Sequence, residues 1–135
     1  MKRVTTLCIL LSVLISFSSY NFAQEVDKVK KKVDVEKVED NLLVGVDSEN
    51  DGLRISSAYY LGEAKSDKAV IPLMKMLREN KDEGERIMAA LSLFKIGDER
   101  GMNLIKGMSE QDDNKHVKKM CKIFWDMHVV RREIK

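Results

Sequence analysis

The sequence LGEAKSDKAVIPL at residues 61–73 returns in altered form as LFKIGDERGMNLI at residues 93–105. The register that aligns the two stretches also aligns four further pairs: Arg54 with Arg86, Ile55 with Ile87, Ala58 with Ala90, and Lys68 with Arg100. Because one register aligns basic, small and apolar positions alike, the chain contains an internal repeat. Such a unit cannot bury its apolar side alone, so we expect the units to stack on one another.

Apolar residues within the first unit recur at helical spacing. Ser66 or Asp67 is expected to cap a helix that buries Val70, Leu73 and Leu77. Pro72 is expected to lie beyond the first turn of this helix and to kink it. No sustained alternation of apolar and polar residues occurs in the chain, which excludes a β architecture.

The second unit carries clear helix boundary signals. Asp82 and Glu85 match a capping box, and Gly97 followed by Asp98 ends one helix and caps the next. A last helix is predicted to begin at about Asn114. A helix before the repeats is predicted to bury four apolar residues on one face: Val35, Val38, Leu42 and Leu43.

The first residues of the chain have the order of a signal peptide. Lys2 and Arg3 precede an apolar run at residues 4–17, and small and polar residues lead to Ala23. We therefore predict that residues 1–23 are a cleaved signal peptide and that the protein is periplasmic or secreted. The alternative is an uncleaved segment that anchors the protein in the membrane.

The charge of the predicted mature chain is close to neutral. Removing Lys2 and Arg3 from the 24 basic residues leaves 22, against 22 acidic residues, so nucleic acid is not an expected partner. The charged residues 24–33 are interpreted as a tether, and residues 34–135 as one repeat domain. Cys121 is the only cysteine that remains, which excludes an intramolecular disulfide in the mature chain.

The repeat positions resemble short bacterial HEAT-like repeats of the PBS-lyase type, with an arginine, a small-residue pair and the pattern L-G-x-I-G-D-x-R-A-V-x-x-L. The first unit matches at Arg54, Ser57, Ala58, Leu61, Gly62, Ala64, Lys68, Ala69, Val70 and Leu73. The second unit matches at Arg86, Ala89, Ala90, Leu93, Ile96, Gly97, Asp98, Arg100 and Ile105. The resemblance covers residues 52–108 and extends loosely through the last helix.

The resemblance implies an all-α fold, a short right-handed superhelix of about two and a half helical hairpins. It also implies a non-enzymatic scaffold or adaptor that binds another protein. The alternative function is an accessory subunit or a lyase-like enzyme that acts on a bound small molecule. Ser66 and Phe94 depart from the pattern, so a ladder of aspartate and arginine side chains bridging the repeats is expected to be incomplete.

The candidate reactive residues do not form a chemical site. Cys121 and His128 share one helical face, whereas His116 points elsewhere, and structural zinc requires four ligands. We therefore predict no catalytic residue, no metal site and no cofactor. The simpler interpretation is that Val117, Cys121, Phe124 and His128 form the buried side of the last helix.

Two surfaces are candidates for partner contacts. The resemblance implies that the second helix of each unit lines a concave face, where six residues are surplus to the core pattern: Ile71, Met74, Lys75, Arg78, Asn103 and Lys106. The last helix also carries a basic strip, which favours weak contact with acidic surfaces. This strip contains Lys115, Lys118, Lys119, Lys122, Arg131, Arg132 and Lys135.

The apolar arc of the last helix is too wide for a helix that ends a stack, because such helices are polar on their outer side. Trp125 lies on one flank of the arc, and Ile123 and Val130 lie on the other. We expect Trp125 or Ile123 to be buried against another chain, either a second copy or a partner. The competing expectation is that the valine-rich N-terminal helix folds back over this arc.

Overall fold

The computed structural model describes residues 35–134, which form α-helices joined by short connections. The helices are α1 (Val35–Val46), α2 (Asp51–Glu63), α3 (Val70–Glu79), α4 (Glu83–Ile96), α5 (Glu99–Gln111) and α6 (Lys115–Glu133). A 3-10 turn at Asp67–Ala69 leads into α3. No strand occurs among these described residues, so the prediction of an all-α fold is confirmed. The predicted signal peptide (1–23) and tether (24–33) lie outside them.

The helical segments start at a constant interval along the chain when the 3-10 turn is counted as the start of the third: at positions 35, 51, 67, 83, 99 and 115. Each start from α2 onward has a polar residue whose side chain accepts a hydrogen bond from a backbone N–H of the first turn, which satisfies a donor that the helix itself leaves unpaired. These residues are Asn50, Ser66, Asp82, Asp98 and Asn114. The helix starts predicted at Ser66, Asp82, Asp98 and Asn114 are therefore confirmed.

The constant spacing divides the helices into two alternating sets. We call α2, α4 and α6 the A helices and α1, α3 and α5 the B helices. A residue on one A helix has its equivalent on the next A helix, and the same holds for the B helices. The A helix α4 packs against α2, α3 and α6, and α5 packs against α6. The described residues thus contain two complete hairpins, α2–α3 and α4–α5, with one B helix before them and one A helix after them.

The core is aliphatic and follows the repeat. Leu61 and Leu93, which are equivalent, are both fully buried, as are Ala58 and Ala90. The A helices approach closely at Gly62, where an added Cβ atom would lie 2.8 Å from the Cα atom of Ser92. Small side chains at these positions allow the stacked helices to touch along their backbones.

The predicted position of Pro72, beyond the first turn of its helix, was wrong. The residues before it form a 3-10 turn, and the α-helix begins only at Val70, which makes Pro72 its third residue. The N–H groups of the first turn have no partner within an α-helix, so a proline there removes no helical hydrogen bond. At this position in the helix, Pro72 gives no reason to expect a kink.

The helix α1 packs on the repeats mainly through its second half. Val46 is buried and Leu42 and Leu43 pack on the core, but Val38 is 45% exposed, so its predicted burial was wrong. The first half is held by polar contacts instead, since Glu39 accepts a hydrogen bond from the Ser66 hydroxyl.

The predicted fold-back of the valine-rich helix over the last helix was wrong for α1. Its contacts lie with α2 and the 3-10 turn: an added Cβ atom at Gly45 would overlap the Ser57 side chain, and Glu39 meets Ser66. No helix between residues 35 and 134 combines the length and apolar character needed to cross a membrane.

The last helix is longer than its counterparts because its stop signal is missing. The equivalent helix α4 ends at Gly97, whose φ of 79° is the left-handed conformation that closes a helix. Val129 stands at the equivalent position of α6, and a β-branched residue strongly disfavours that conformation. The helix therefore continues to Glu133, giving α6 19 residues against the 14 of α4.

Candidate protein-binding surface

We call the six predicted partner residues of α3 and α5 the B-face: Ile71, Met74, Lys75, Arg78, Asn103 and Lys106. All of them are exposed except Met74, which is half-buried and packs on the core. Ile71 is the large apolar residue of this set with an exposed side chain, at 58%. Part of the Met74 side chain is therefore buried against the core, and the other five side chains are available at the surface.

The basic side chains of the B-face differ in their surroundings. Lys75 lies 3.7 Å from Asp47 in an exposed ion pair, and such pairs contribute little because water competes with them. The ammonium group of Lys106 lies 5.4 Å from the centre of the Trp125 ring. Lys106 thus covers an apolar residue of its own chain. The sequence pattern predicted a surface position for Lys106 but not this contact.

A cavity of about 510 Å³ opens next to the B-face. The residues that line it include Lys75 and Glu79 of α3, Asp47, Arg54 and Glu85. Charges of both signs are present, so the cavity offers hydrogen bonds to a partner chain without favouring one sign strongly.

An ion pair joins the two hairpins at the wall of this cavity. The Nε atom of Arg54 donates to both carboxylate oxygens of Glu85 at 3.0 Å, and the Glu85 side chain is 2% exposed. Glu85 also accepts a hydrogen bond from the side-chain amide of Asn80. Arg54 additionally donates to the backbone oxygen of Ser48 at 2.6 Å, which ties the α1–α2 connection to the same cluster.

The role of Glu85 corrects the predicted capping box. Asp82 does cap α4, accepting a hydrogen bond from the Glu85 N–H at 2.9 Å. The Glu85 carboxylate, however, bonds Arg54 of the preceding unit rather than the backbone of Asp82. A tertiary partner with a full positive charge outcompetes a single backbone N–H for this carboxylate.

A second pair repeats this bridge one unit later. Arg86, the equivalent of Arg54, binds Asp112, whose side chain is 2% exposed, and donates to the Leu77 oxygen at 2.8 Å. Asp112 occupies in the second unit the position that Asn80 occupies in the first. The amide of Asn80 in the first unit carries no charge and cannot neutralise Arg54. Glu85 supplies the negative charge instead.

The loop aspartate does not take part in this ladder. Asp98 caps α5 and pairs with Arg100 of the same turn at 3.0 Å, so the contact is local. The Arg100 guanidinium holds the pKa of Asp98 below its ordinary value. The expectation that an aspartate–arginine ladder through the loops is incomplete fits this geometry, but sequence reasoning missed the buried ladder at Arg54 and Arg86.

Trp125 is covered largely within its own chain. It takes the position of Leu61 and Leu93, packs on the core, and stacks on His128 with ring centres 5.7 Å apart. Lys106 lies over its ring. Of the two residues predicted to need an intermolecular cover, only Ile123 leaves a large share of its side chain, 40%, exposed.

The titratable residues of α6 are engaged in structural contacts. Cys121 is fully buried, and burial raises the pKa of its thiol to about 11, which suppresses the reactive thiolate. The His116 ring meets the carboxylate of Glu83 at 2.5 Å and lowers the pKa of that carboxyl. Within residues 35–134 no group of three or more histidine, cysteine or acidic side chains is placed to hold a metal ion.

Parts of the basic strip also contact the chain itself. Lys118 donates to the backbone oxygen of Glu110 at 2.7 Å, which places a cation at the end of α5. Lys122 pairs with Asp126 at 3.2 Å, and Arg131 lies 5.0 Å from the centre of the Phe94 ring. The strip is therefore less available to an acidic partner than its sequence indicates.

Comparison with known proteins agrees with this geometry. A family model described as HEAT repeats matches residues 36–121, from α1 into the middle of α6. The matched range includes both hairpins, both buried bridges and the whole B-face. A search among curated proteins gave no match. The match covers well over half of the chain, and the chain belongs to the HEAT-repeat family.

Proposed function

We propose that this protein is an exported, non-enzymatic adaptor that binds a partner protein through the B-face. HEAT repeats generally form scaffolds for protein–protein interaction and typically carry no catalysis of their own. The observation that carries the proposal is the exposed Ile71 beside the cations Lys75 and Arg78 on a helix that is otherwise packed. An apolar anchor surrounded by polar groups is the usual composition of a binding hot spot.

The buried bridges support this function by keeping the binding helices in a fixed relation. Arg54 with Glu85 and Arg86 with Asp112 each join residues that are far apart in the chain. A surface that is already ordered loses less conformational entropy when a partner binds. The partner segment that fits best is one that offers an apolar side chain to Ile71 and acidic groups to the neighbouring lysine and arginine.

The experiment is affinity capture of the tagged protein from the cells that export it, compared between wild type and a B-face variant. The variant Ile71→Asp with Lys75→Glu changes two exposed side chains and leaves Lys106 over Trp125. We expect the variant to lose the captured partner while its melting temperature stays unchanged. Lys115→Glu, an exposed charge reversal on α6, is the matched control and should capture as wild type does.

Equal capture by the wild type and the B-face variant would contradict the proposal. Loss of capture together with a lowered melting temperature would indicate damage to the fold instead.

The proposed export rests on the N-terminal sequence. The order of Lys2 and Arg3, the apolar run 4–17 and Ala23 favours cleavage, and the mature chain should then begin at Gln24. N-terminal sequencing of protein recovered outside the cytoplasm tests this. An intact Met1 in the membrane fraction would favour the anchored alternative.

A further inference from the structure

The last helix and the residue that caps its end carry a row of exposed apolar residues, which we call the α6 stripe: Ile123, Met127, Val130 and Ile134. Their side chains are 40%, 49%, 53% and 81% exposed, respectively. The residues are spaced by four, three and four positions, the spacing with which two helices pair along a continuous apolar seam. We propose that the α6 stripe binds the α6 stripe of a second copy of this chain, with the two helices parallel.

The stripe breaks the pattern of the earlier repeats. Met127 is equivalent to Lys95 and Glu63, which form an ion pair between α4 and α2. At this position the inner helices carry charges suited to water, whereas α6 carries an apolar side chain. Val130 lies within the helical extension that Val129 permits in place of Gly97, and Ile134 follows directly after its end. At positions 127 and 130 the apolar surface is thus a feature that α2 and α4 lack.

The charges beside the stripe select the occupant and its direction. When the stripe residues are placed at the seam, Asp126 falls on one flank and Arg131 on the other, five positions later. Within its own chain Asp126 pairs with Lys122 and Arg131 lies over the Phe94 ring, so each side chain would add the contact across the seam to the one it already makes. In a parallel pair these are the positions that meet across the seam, so Asp126 of each copy faces Arg131 of the other. An antiparallel pair would instead place Asp126 opposite Glu133, and two like charges would repel.

The fold leaves room for this contact. The buried side of α6, centred on Val117, Cys121 and Phe124, lies about 120° around the helix from the stripe at 100° per residue. A second α6 can therefore approach the stripe while the body of each copy stays on its own side. Lys106 covers Trp125 within the chain, so among residues 35–134 the stripe is a separate, exposed apolar surface of α6.

The first experiment is sedimentation of the protein, recovered from cells that make the full chain, over a hundredfold range of concentration. We expect a reversible equilibrium between monomer and dimer. Val130→Glu should raise the dimer dissociation constant by roughly tenfold or more, because it places a charge in the apolar seam. Val44→Glu, which changes an exposed valine of α1, should leave the constant unchanged. Melting temperatures of both variants show whether the fold is intact.

The second experiment tests the parallel direction. In a parallel pair Val130 faces Val130 of the other copy, so Val130→Cys should form an intermolecular disulfide under mild oxidation, and Val44→Cys should not. Wild-type protein treated in the same way accounts for Cys8 and Cys121. In an antiparallel pair, position 130 would meet position 127, and cross-linking would require a mixture of Met127→Cys and Val130→Cys protein.

A strict monomer over the whole concentration range would overturn the proposal, and so would equal cross-linking of the Val130→Cys and Val44→Cys variants. Cross-linking only in the mixed sample would overturn the parallel arrangement. Charge exchange gives an independent check: Asp126→Arg alone should weaken the dimer, and Asp126→Arg together with Arg131→Asp should restore it.

Discussion

The contact between Gly62 and Ser92 should make alanine at position 62 destabilising, although alanine favours helices. A Cβ atom at residue 62 would lie 2.8 Å from the Cα, Cβ and Oγ atoms of Ser92, and the Cα atom cannot move without shifting α4. Such overpacking costs roughly 1 to 3 kcal/mol, and we expect the upper part of this range because the backbone must move. The gain in helix propensity offsets at most about 1 kcal/mol.

We therefore expect Gly62→Ala to lower the free energy of unfolding by about 1 to 2 kcal/mol in urea denaturation followed by circular dichroism. Gly107→Ala is the matched control, because Gly107 also lies within a helix but has no heavy atom within 4 Å of an added Cβ atom. The same substitution there should raise the free energy of unfolding by about 0.5 to 1 kcal/mol. If both variants are stabilised, the close helix contact inferred at Gly62 is wrong.

Two further predictions concern buried groups. Glu85→Ala leaves Arg54 without its main partner and should lower the free energy of unfolding by about 3 kcal/mol in the same urea assay. Glu83→Ala, which removes an exposed pair with His116, should have a much smaller effect. Equal effects would mean that the Arg54–Glu85 bridge does not stabilise the stack. Cys121, with its thiol pKa raised to about 11, should resist an aromatic disulfide reagent at pH 8 until urea unfolds the chain, and rapid labelling of the native protein would contradict its burial.

The stacked helical fold could be predicted because the features that determine it are local and repeated. The register of the internal repeat identified Leu61 with Leu93, and both are fully buried. A stronger signal was also present: polar capping residues recur at a constant interval, at positions 50, 66, 82, 98 and 114. This regular spacing locates the start of every helical segment from α2 onward, with the 3-10 turn that leads into α3 counted as one of them. It also locates the start of α6, where the small-residue pair is missing.

The buried bridges could not be predicted from local patterns. Glu85 follows Asp82 by three positions, which matches a capping box, and only the stacked structure brings Arg54 close enough to take its carboxylate. Asp112 lies in the connection between α5 and α6, where the local sequence names no partner for it. The residue type at each position was visible in the sequence, but the partner depends on tertiary packing: of one repeat on the next for Arg54 and Glu85, and of α4 against the end of α5 for Arg86 and Asp112.

The changes in the last repeat also indicate which neighbours α6 lacks. Ala58 and Ala90, fully buried in the inner repeats, are replaced by Lys122, which is exposed and pairs with Asp126. A lysine at this position prevents a further helix from packing there, so this side of α6 is finished as a surface in water. On the outer side the replacement goes the other way, from Lys95 to Met127. A helix that is made polar where the stack ends and apolar where its counterparts are charged has two different surfaces, and the apolar one is the surface that a second copy would cover.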